Sequence, residues 1–268
     1  MKKTDCHITD LDYGQMAVYD FGGIKLHAYK TNDPIDDEVF VLENGGRGVI
    51  IEAPCFFDNI HELEKYLEEQ GIAVEGILIA YHGAGASLLP GTKVYSTSRA
   101  DAYNHNGGGA ALVGNFTNAF GAAFDSQIFT TTDFIEAGKL SIAGIDLEIE
   151  DSQDAFDIRI PAINAVYIHM LGHDCHSIVA GAGHADAIIA QLESYQKAGV
   201  DLVLTSHYTP EDLKDAQAKI DYLTELKQVA ARSASGEAFK ETVNAEYPEY
   251  AGGNYLDMTA GFFFPASE

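Results

Sequence analysis

Cysteine is scarce in this sequence. The three cysteines, Cys6, Cys55 and Cys175, are scattered over 268 residues, and no two of them have CxxC spacing. An odd, scattered set cannot form a complete disulfide framework and is typical of reduced thiols. We therefore expect a protein of a reducing compartment, the cytoplasm.

Basic residues and long apolar runs are scarce as well. Lys and Arg number 16 against 41 Asp and Glu, which gives a formal net charge of −25. Such acidity repels nucleic-acid phosphates and anionic membrane surfaces. No run reaches the roughly 18 apolar residues of a membrane span, and the first residues lack the apolar stretch of a signal peptide. We expect neither nucleic acid nor membrane as a partner.

Prolines are also few, 7 in all, whereas apolar residues make up 46% of the chain. This composition indicates an ordered globular protein, because enough apolar surface is present to offset the entropy lost on ordering. The length allows one large domain or two small ones. No linker-like segment interrupts the sequence, so we expect a single domain over residues 1–268.

The first half contains a strand–helix–strand pattern. Runs at 38–42 and 47–52 are strand-like, and Asn44-Gly45-Gly46 between them is a hairpin signal because Asn and Gly tolerate positive φ. A helix is expected over 59–69, capped by Asp58 and ended by Gly71, and the apolar run 76–81 reads as a buried strand. Earlier strands are expected at 14–19 and 24–29.

The second half repeats this order. We expect a strand at 177–180, a helix over 186–197 and a strand at 201–205, and then a helix starting at Thr209-Pro210 and running to about residue 231. The stretch from 76 to 82 matches the stretch from 201 to 207 in pattern, at an offset of 125. The chain therefore reads as two pseudo-duplicated halves, approximately 1–133 and 134–268, that close one core.

Two further segments are less regular. Residues 161–171 and 175–180 are interpreted as a hairpin that turns at Gly172-His173-Asp174. On this interpretation His173 belongs to a polar turn remote from the expected site. The pattern leaves the structure of the Gly/Ala/Asn-rich stretch 102–123 open.

Histidines follow the strands that should end at one edge of a parallel sheet. Ligands of open α/β sheets bind at that edge, where the sequence puts His82, His184 and His207. Imidazole is a common metal ligand, so these three residues could hold a zinc-like ion. The alternative is that each is a neutral histidine bonded to nearby backbone. Cys55 falls at the same edge and is interpreted as a small buried hydrophobe.

The strand order and the placement of these histidines resemble the metallo-β-lactamase fold superfamily. Residues 39–54 look like its opening hairpin, with Glu52 where an Asp is usual, and His207 stands where its last ligand lies. The stretch His82-Gly83-Ala84-Gly85-Ala86-Ser87 occupies the place of the family's H-x-H-x-D-H, of which only the first histidine is present. The resemblance implies a four-layer αβ/βα sandwich and a metal-dependent hydrolase.

The replaced ligands limit what the resemblance implies. Alanines cannot bind zinc, so the family's two-metal site cannot form in its usual geometry. The family's bridging Asp would fall near Ala182, and His184, two residues later, could rebuild a mononuclear site with His82 and His207. The cofactor is then one zinc or a similar divalent metal, or none.

Two functions follow. The first is a metallo-β-lactamase-fold hydrolase that acts on a small molecule through a reduced, mononuclear metal site. The alternative is a non-catalytic member of the fold, without metals, that binds a small ligand or a protein partner. The apolar stretch 261–265 packs on the core or on a second subunit, so a homo-oligomer is among the expected partners.

Overall fold

The structure is a computed structural model that describes residues 2–152, 154–169 and 172–265. Its contacts separate into two units. The first unit is Met1–His169 with Asp201–Pro210, and the second is Met170–Val200 with Glu211–Glu268. The single domain over 1–268 stays a prediction.

An eight-stranded sheet forms much of the first unit, with its strands in chain order. The strands are β1 (His7–Asp10), β2 (Gln15–Asp20), β3 (Ile24–Lys30), β4 (Glu38–Asn44), β5 (Arg47–Ile51), β6 (Ala73–Leu78), β7 (Val94–Thr97) and β8 (Asp133–Ile135). Neighbours are antiparallel from β1 to β5 and parallel from β5 to β8. The hairpin at Asn44-Gly45-Gly46 is confirmed, since Asn44 pairs with Arg47 and both glycines have positive φ.

Helix α1 (Phe57–Gln70) connects the parallel strands β5 and β6. Its apolar side, which includes Ile60 and Leu63, packs on Val41 and Ile50 of the sheet. The helix ends at Gly71, whose φ of 67° places it in the left-handed region. The prediction of Asp58 as the N-cap is wrong. Phe56 occupies the N-cap position without a side-chain hydrogen bond. Asp58 lies in the first turn, where its negative charge interacts favourably with the helix dipole.

A six-stranded sheet has the order β14-β13-β12-β11-β10-β9. Its strands are β9 (Gly138–Ile142), β10 (Ile145–Asp151), β11 (Phe156–Ile160), β12 (Ala165–Ile168), β13 (Leu202–Thr205) and β14 (Tyr208–Glu211). Within the first unit the two sheets share one core, in which Phe40 and Leu42 of β4 join Ile158 and Tyr167 of the second sheet. The predicted α/β class is therefore confirmed.

The hairpin expected over 161–180 is wrong. Residues 177–180 form no strand, and β12 instead pairs with β11 on one side and, in parallel, with β13 on the other. Met170 and Leu171, at the end of the expected first arm, lie outside the described residues. A buried apolar stretch such as 177–180, with Val179 in a core, cannot be told from a strand by periodicity alone.

The stretch 102–123, which the sequence left open, is mostly helical. It contains part of α2 (Ser98–Asn106) and all of α3 (Gly108–Phe120). Thr97 caps α2, because its side chain accepts a hydrogen bond from the N–H of Ala100.

The second unit is helical, with α4 (Ala182–Ala198), α5 (Leu213–Arg232), α6 (Gly236–Glu246) and α7 (Gly253–Phe263). These helices bury Tyr222, Leu226 and Phe239. The predicted helix start at Thr209 is wrong, since α5 begins at Leu213 behind a capping box. In the part of the chain that the structure describes, no helix is both long and apolar enough to cross a bilayer.

Candidate functional site

Three histidines of the first unit meet just beyond the ends of three strands. His82 follows β6, His169 directly follows β12 and His207 follows β13. The ring centroid of His82 lies 4.7 Å from that of His207 and 5.2 Å from that of His169. One ring nitrogen from each histidine lies within 4.8 Å of the others. The structure thus brings together two of the three histidines predicted from the sequence, and adds His169.

The contacts of these rings assign the proton of His207 and place the other two rings beside it. His207 Nδ1 is 3.1 Å from the carbonyl oxygen of Ile35, so this nitrogen carries the proton and donates it. His82 Nδ1 faces Asp37 Oδ1 at 3.6 Å, and its Nε2 is 3.2 Å from Nε2 of His169. With its proton on Nδ1, His207 keeps a lone pair on Nε2, the kind of atom that binds a metal ion.

The carboxylate of Asp37 lies next to the Nδ1 atoms of His82 and His207. The residue is 1% exposed, and its Oδ1 lies 3.5 Å from His207 Nδ1 and 3.6 Å from His82 Nδ1. Among the described residues this oxygen has no hydrogen-bond partner of good geometry. Burial, with the neighbouring Asp33 charge, raises the pKa of Asp37 well above its ordinary value. A bound cation near the histidines would offset that cost.

The same surroundings keep the imidazoles neutral. Burial lowers the pKa of His169 to about 3, and the nearby His207 contributes to this shift. Burial also lowers the pKa of His82 and of His207, and the neighbouring rings add to the effect at His82. Neutral imidazole is the form that binds metal ions.

Glu52 connects the ends of the two sheets. It is buried, with a φ of 62°, and its carboxylate accepts hydrogen bonds from the N–H groups of Tyr81 and His82 at 2.8 and 3.0 Å. The hydroxyl of Tyr167 donates to it at 2.7 Å. Burial raises the pKa of Glu52 to about 7. Glu52 therefore positions the backbone that carries His82.

The aromatic ring of Tyr81 supports His169. The two rings stack with centroids 4.4 Å apart and planes at 6°. The Tyr81 hydroxyl donates to Asp157 at 3.0 Å. This stack limits the rotation of the His169 ring and so helps to keep its Nε2 beside His82.

Comparisons with known proteins bear on the fold. No family model matches the chain, and no curated protein matches it either. Solved structures do match. The inverting sec-alkylsulfatase Pisa1 from Pseudomonas sp. aligns with a TM-score of 0.65 and 13% identity over 90% of this chain, and a double mutant of the same enzyme gives 0.66. A metallo-β-lactamase from Erythrobacter litoralis, with β-mercaptoethanol in its active site, gives 0.56 and 12% identity over 82% of this chain and 100% of its own.

The chain has the metallo-β-lactamase fold. It spans about half the length of the alkylsulfatase chains, 49%. The family resemblance stated from the sequence is thereby confirmed at the level of fold, because identities of 12 to 13% carry no residue-level assignment.

Within this metallo-β-lactamase fold, the residues present fit one metal ion. With Zn–N bonds of about 2.0–2.1 Å, two tetrahedral ligand nitrogens lie about 3.3 Å apart, and the two facing Nε2 atoms of His82 and His169 are 3.2 Å apart. Ala84 lies in a buried apolar cluster with Phe56 and Phe124 and offers no ligand atom.

The loop that carries these replacements is tightly packed. Gly85 has a φ of 92°, and a Cβ atom there would lie 2.3 Å from the carbonyl oxygen of Pro54. Only glycine is compatible with this contact and this backbone conformation. Gly85 thus brings the backbone of this stretch against the loop after β5.

The structure places His184 in the second unit, in the first turn of α4, where its Nδ1 accepts a hydrogen bond from the N–H of Ala180 at 3.0 Å. His184 as a metal ligand stays a prediction. His169 was missed because the expected hairpin moved the strand end to Ala182. The signal was present, since an apolar run at 165–168 ends in His169 much as β13 leads to His207.

Proposed function

We propose that this protein is a metal-dependent hydrolase of a small molecule, with one zinc-like divalent ion bound by His82, His169 and His207. The observation that carries the proposal is the pair of Nε2 atoms 3.2 Å apart, backed by a buried carboxylate oxygen that lacks a hydrogen-bond partner. The names of the structurally similar proteins, a sulfatase and a β-lactamase, support hydrolysis as the reaction class.

When bound, such an ion supplies Lewis-acid activation of water near neutral pH. The residues of the chain position the ligands. The Nδ1–H of His207 donates to the Ile35 carbonyl, and Asp37 attracts the Nδ1–H groups of His82 and His207. Partners of this kind fix the tautomer and orientation of ligating histidines and raise their basicity.

Glu52 fixes the position of the loop after β6, which carries His82. Its two backbone hydrogen bonds, to Tyr81 and His82, keep the ligand-bearing segment in place. Because Glu52 is 1% exposed, it acts as a positioning residue in this proposal and does not contact a substrate.

The third ligand is the point on which the sequence and the geometry differ. We propose His169, whereas the sequence prediction gives His184. Paired variants decide between them. Bound zinc should fall by about one ion per chain in His169→Ala and stay at the wild-type level in His184→Ala. The reverse pattern would assign the ligand to His184.

Elemental analysis of the untagged protein, purified without chelators, tests the proposal as a whole. We expect at least one zinc or similar ion per chain, because a catalytic ion is present near stoichiometrically. Chelation should abolish hydrolysis of chromogenic sulfate esters and β-lactams, and added zinc should restore it. Fewer than about 0.1 ions per chain, with zinc added back, would overturn the hydrolase mechanism.

That negative outcome would support the alternative function, a non-catalytic ligand-binding or protein-interaction member of the fold. The observation in its favour is that Ala84 is buried among aromatic side chains at a usual ligand position. The cytoplasmic location and the homo-oligomer stay predictions.

A further inference from the structure

A second cluster of candidate ligands lies beside the first, within the same unit. Asp33 and Asp37 belong to the loop between β3 and β4, and Cys55 lies between β5 and α1. One ligand atom from each residue lies within 4.8 Å of the other two. All three residues are buried, with exposures of 8%, 1% and 4%.

Each carboxylate of this cluster has one oxygen in use and one without a partner. Asp33 Oδ1 accepts from the N–H groups of Ile35 and Asp37, at 2.9 and 3.4 Å. Asp37 Oδ2 accepts from the Cys55 thiol at 3.2 Å. Asp33 Oδ2 and Asp37 Oδ1 are buried without a hydrogen-bond partner among the described residues. Buried polar atoms in folded proteins are nearly always satisfied. Asp37 Oδ1 has two histidine rings within 3.6 Å, so Asp33 Oδ2 is the atom that points to a missing partner in this cluster.

The missing partner should be positively charged. In the described parts of the chain no Lys or Arg forms an ion pair with Asp33 or Asp37, and the ion-pair contacts of Asp37 are those to His82 and His207. Burying two carboxylates side by side is unfavourable unless a cation compensates their charge. Hydrogen bonds from two N–H groups and a thiol supply too little positive charge for that.

We propose that Asp33, Asp37 and Cys55 bind a second divalent cation of the zinc class, next to the three histidines. Thiolate ligands favour zinc and similar borderline ions over magnesium or calcium. Cys55 loses its thiol proton to solvent when the cation binds, since only the thiolate ligates. Asp37 then serves both sites, with one oxygen toward the histidines and the other toward Cys55. This inference goes beyond the proposed function and does not require hydrolysis.

Cobalt(II) titration of the metal-free full-length protein tests it, because a cobalt–thiolate bond gives an intense near-ultraviolet charge-transfer band. We expect about two cobalt ions per chain and this band in the wild type. Cys55→Ser should lose the band and about one ion per chain. The matched control is Cys6→Ser, a partly buried cysteine whose thiol donates to the Lys3 carbonyl, and it should keep both.

A second variant distinguishes loss of metal binding from misfolding. Asp33→Asn preserves shape and should weaken binding of the second ion at least tenfold while circular dichroism stays unchanged. No thiolate band in the wild type would overturn the inference, whatever the histidine variants do. His169→Ala should lose the other ion and keep the band. If His169→Ala keeps every bound ion, the three-histidine proposal fails while the Cys55 site stands.

Discussion

Two groups of histidine and carboxylate in this protein look alike in composition and differ in how their hydrogen bonds are satisfied. In the first unit, His82 and His207 face Asp37, whose Oδ1 has no hydrogen-bond partner among the described residues. In the second unit, His173 faces Glu211. Glu211 accepts from the N–H of Gly172 at 2.9 Å, and from the N–H and the ring Nδ1 of His173, both at 2.8 Å.

This difference separates the proposed metal site from a group whose hydrogen bonds are already formed. The Glu211 carboxylate is fully engaged by donors from its own unit, so a metal ion would have to displace hydrogen bonds already formed. The Asp37 carboxylate would gain a partner. Proximity of ligand-type residues is therefore a weaker criterion than proximity combined with an unsatisfied buried atom.

The largest expected effect is loss of metal from the three-histidine site when one of its ligands is removed. His82→Ala removes one of three proposed ligands and should reduce bound zinc at the histidine site to below about 0.1 per chain. The control is His173→Ala, which should leave zinc content unchanged. Plasma mass spectrometry of both proteins measures this. Equal losses in the two variants would show that the His173–Glu211 group binds metal as well as the three histidines do.

A smaller effect is expected at the carboxylates. Asp37→Asn keeps the size of the side chain but weakens the orientation of His82 and His207, so zinc affinity should fall by about 10–100-fold. Glu211→Gln is the matched change in the second unit. It should leave zinc affinity as in the wild type and lower the free energy of unfolding by about 1–3 kcal/mol, through weakened hydrogen bonds to a buried group. Competition with a zinc chelator and urea denaturation measure the two quantities. An unchanged affinity in Asp37→Asn would remove Asp37 from the site.

The smallest effect concerns the pH dependence of stability in the second unit. Lys219 is buried, its ammonium donates to the carbonyl of Cys175 and the hydroxyl of Ser177, and burial lowers its pKa from 10.5 to about 8. Between these values the unfolded chain binds the proton and the folded protein does not. Stability should therefore rise with pH over this window, by up to about 1.4 kcal/mol per pH unit, and be constant below it.

Lys219→Met tests this sign. The free energy of unfolding of the wild type minus that of the variant should increase from pH 8 toward 10.5. Denaturation at several pH values gives the difference directly, and groups common to both proteins cancel. A flat difference would mean that Lys219 keeps its ordinary pKa in the folded protein.

Much of the fold was accessible from the sequence. The hairpin at Asn44-Gly45-Gly46 and the helix before Gly71 have local signals, and the apolar runs before His82 and His207 have the length of buried strands. The strand expected at 177–180 was wrong because burial in a helical core gives the same apolar pattern as burial in a sheet. Strand β12 was hidden inside a longer apolar stretch.

The sequence by itself determined the α/β class and the presence of His82 and His207 after apolar runs, since each of these is a local property of residue type and spacing. The tertiary structure alone decided that His169 joins them and that Asp33, Asp37 and Cys55 lie together, 22 residues apart along the chain at most. Those placements depend on which strands pair. Pairing is set by burial over the whole sheet, which no single stretch of sequence encodes.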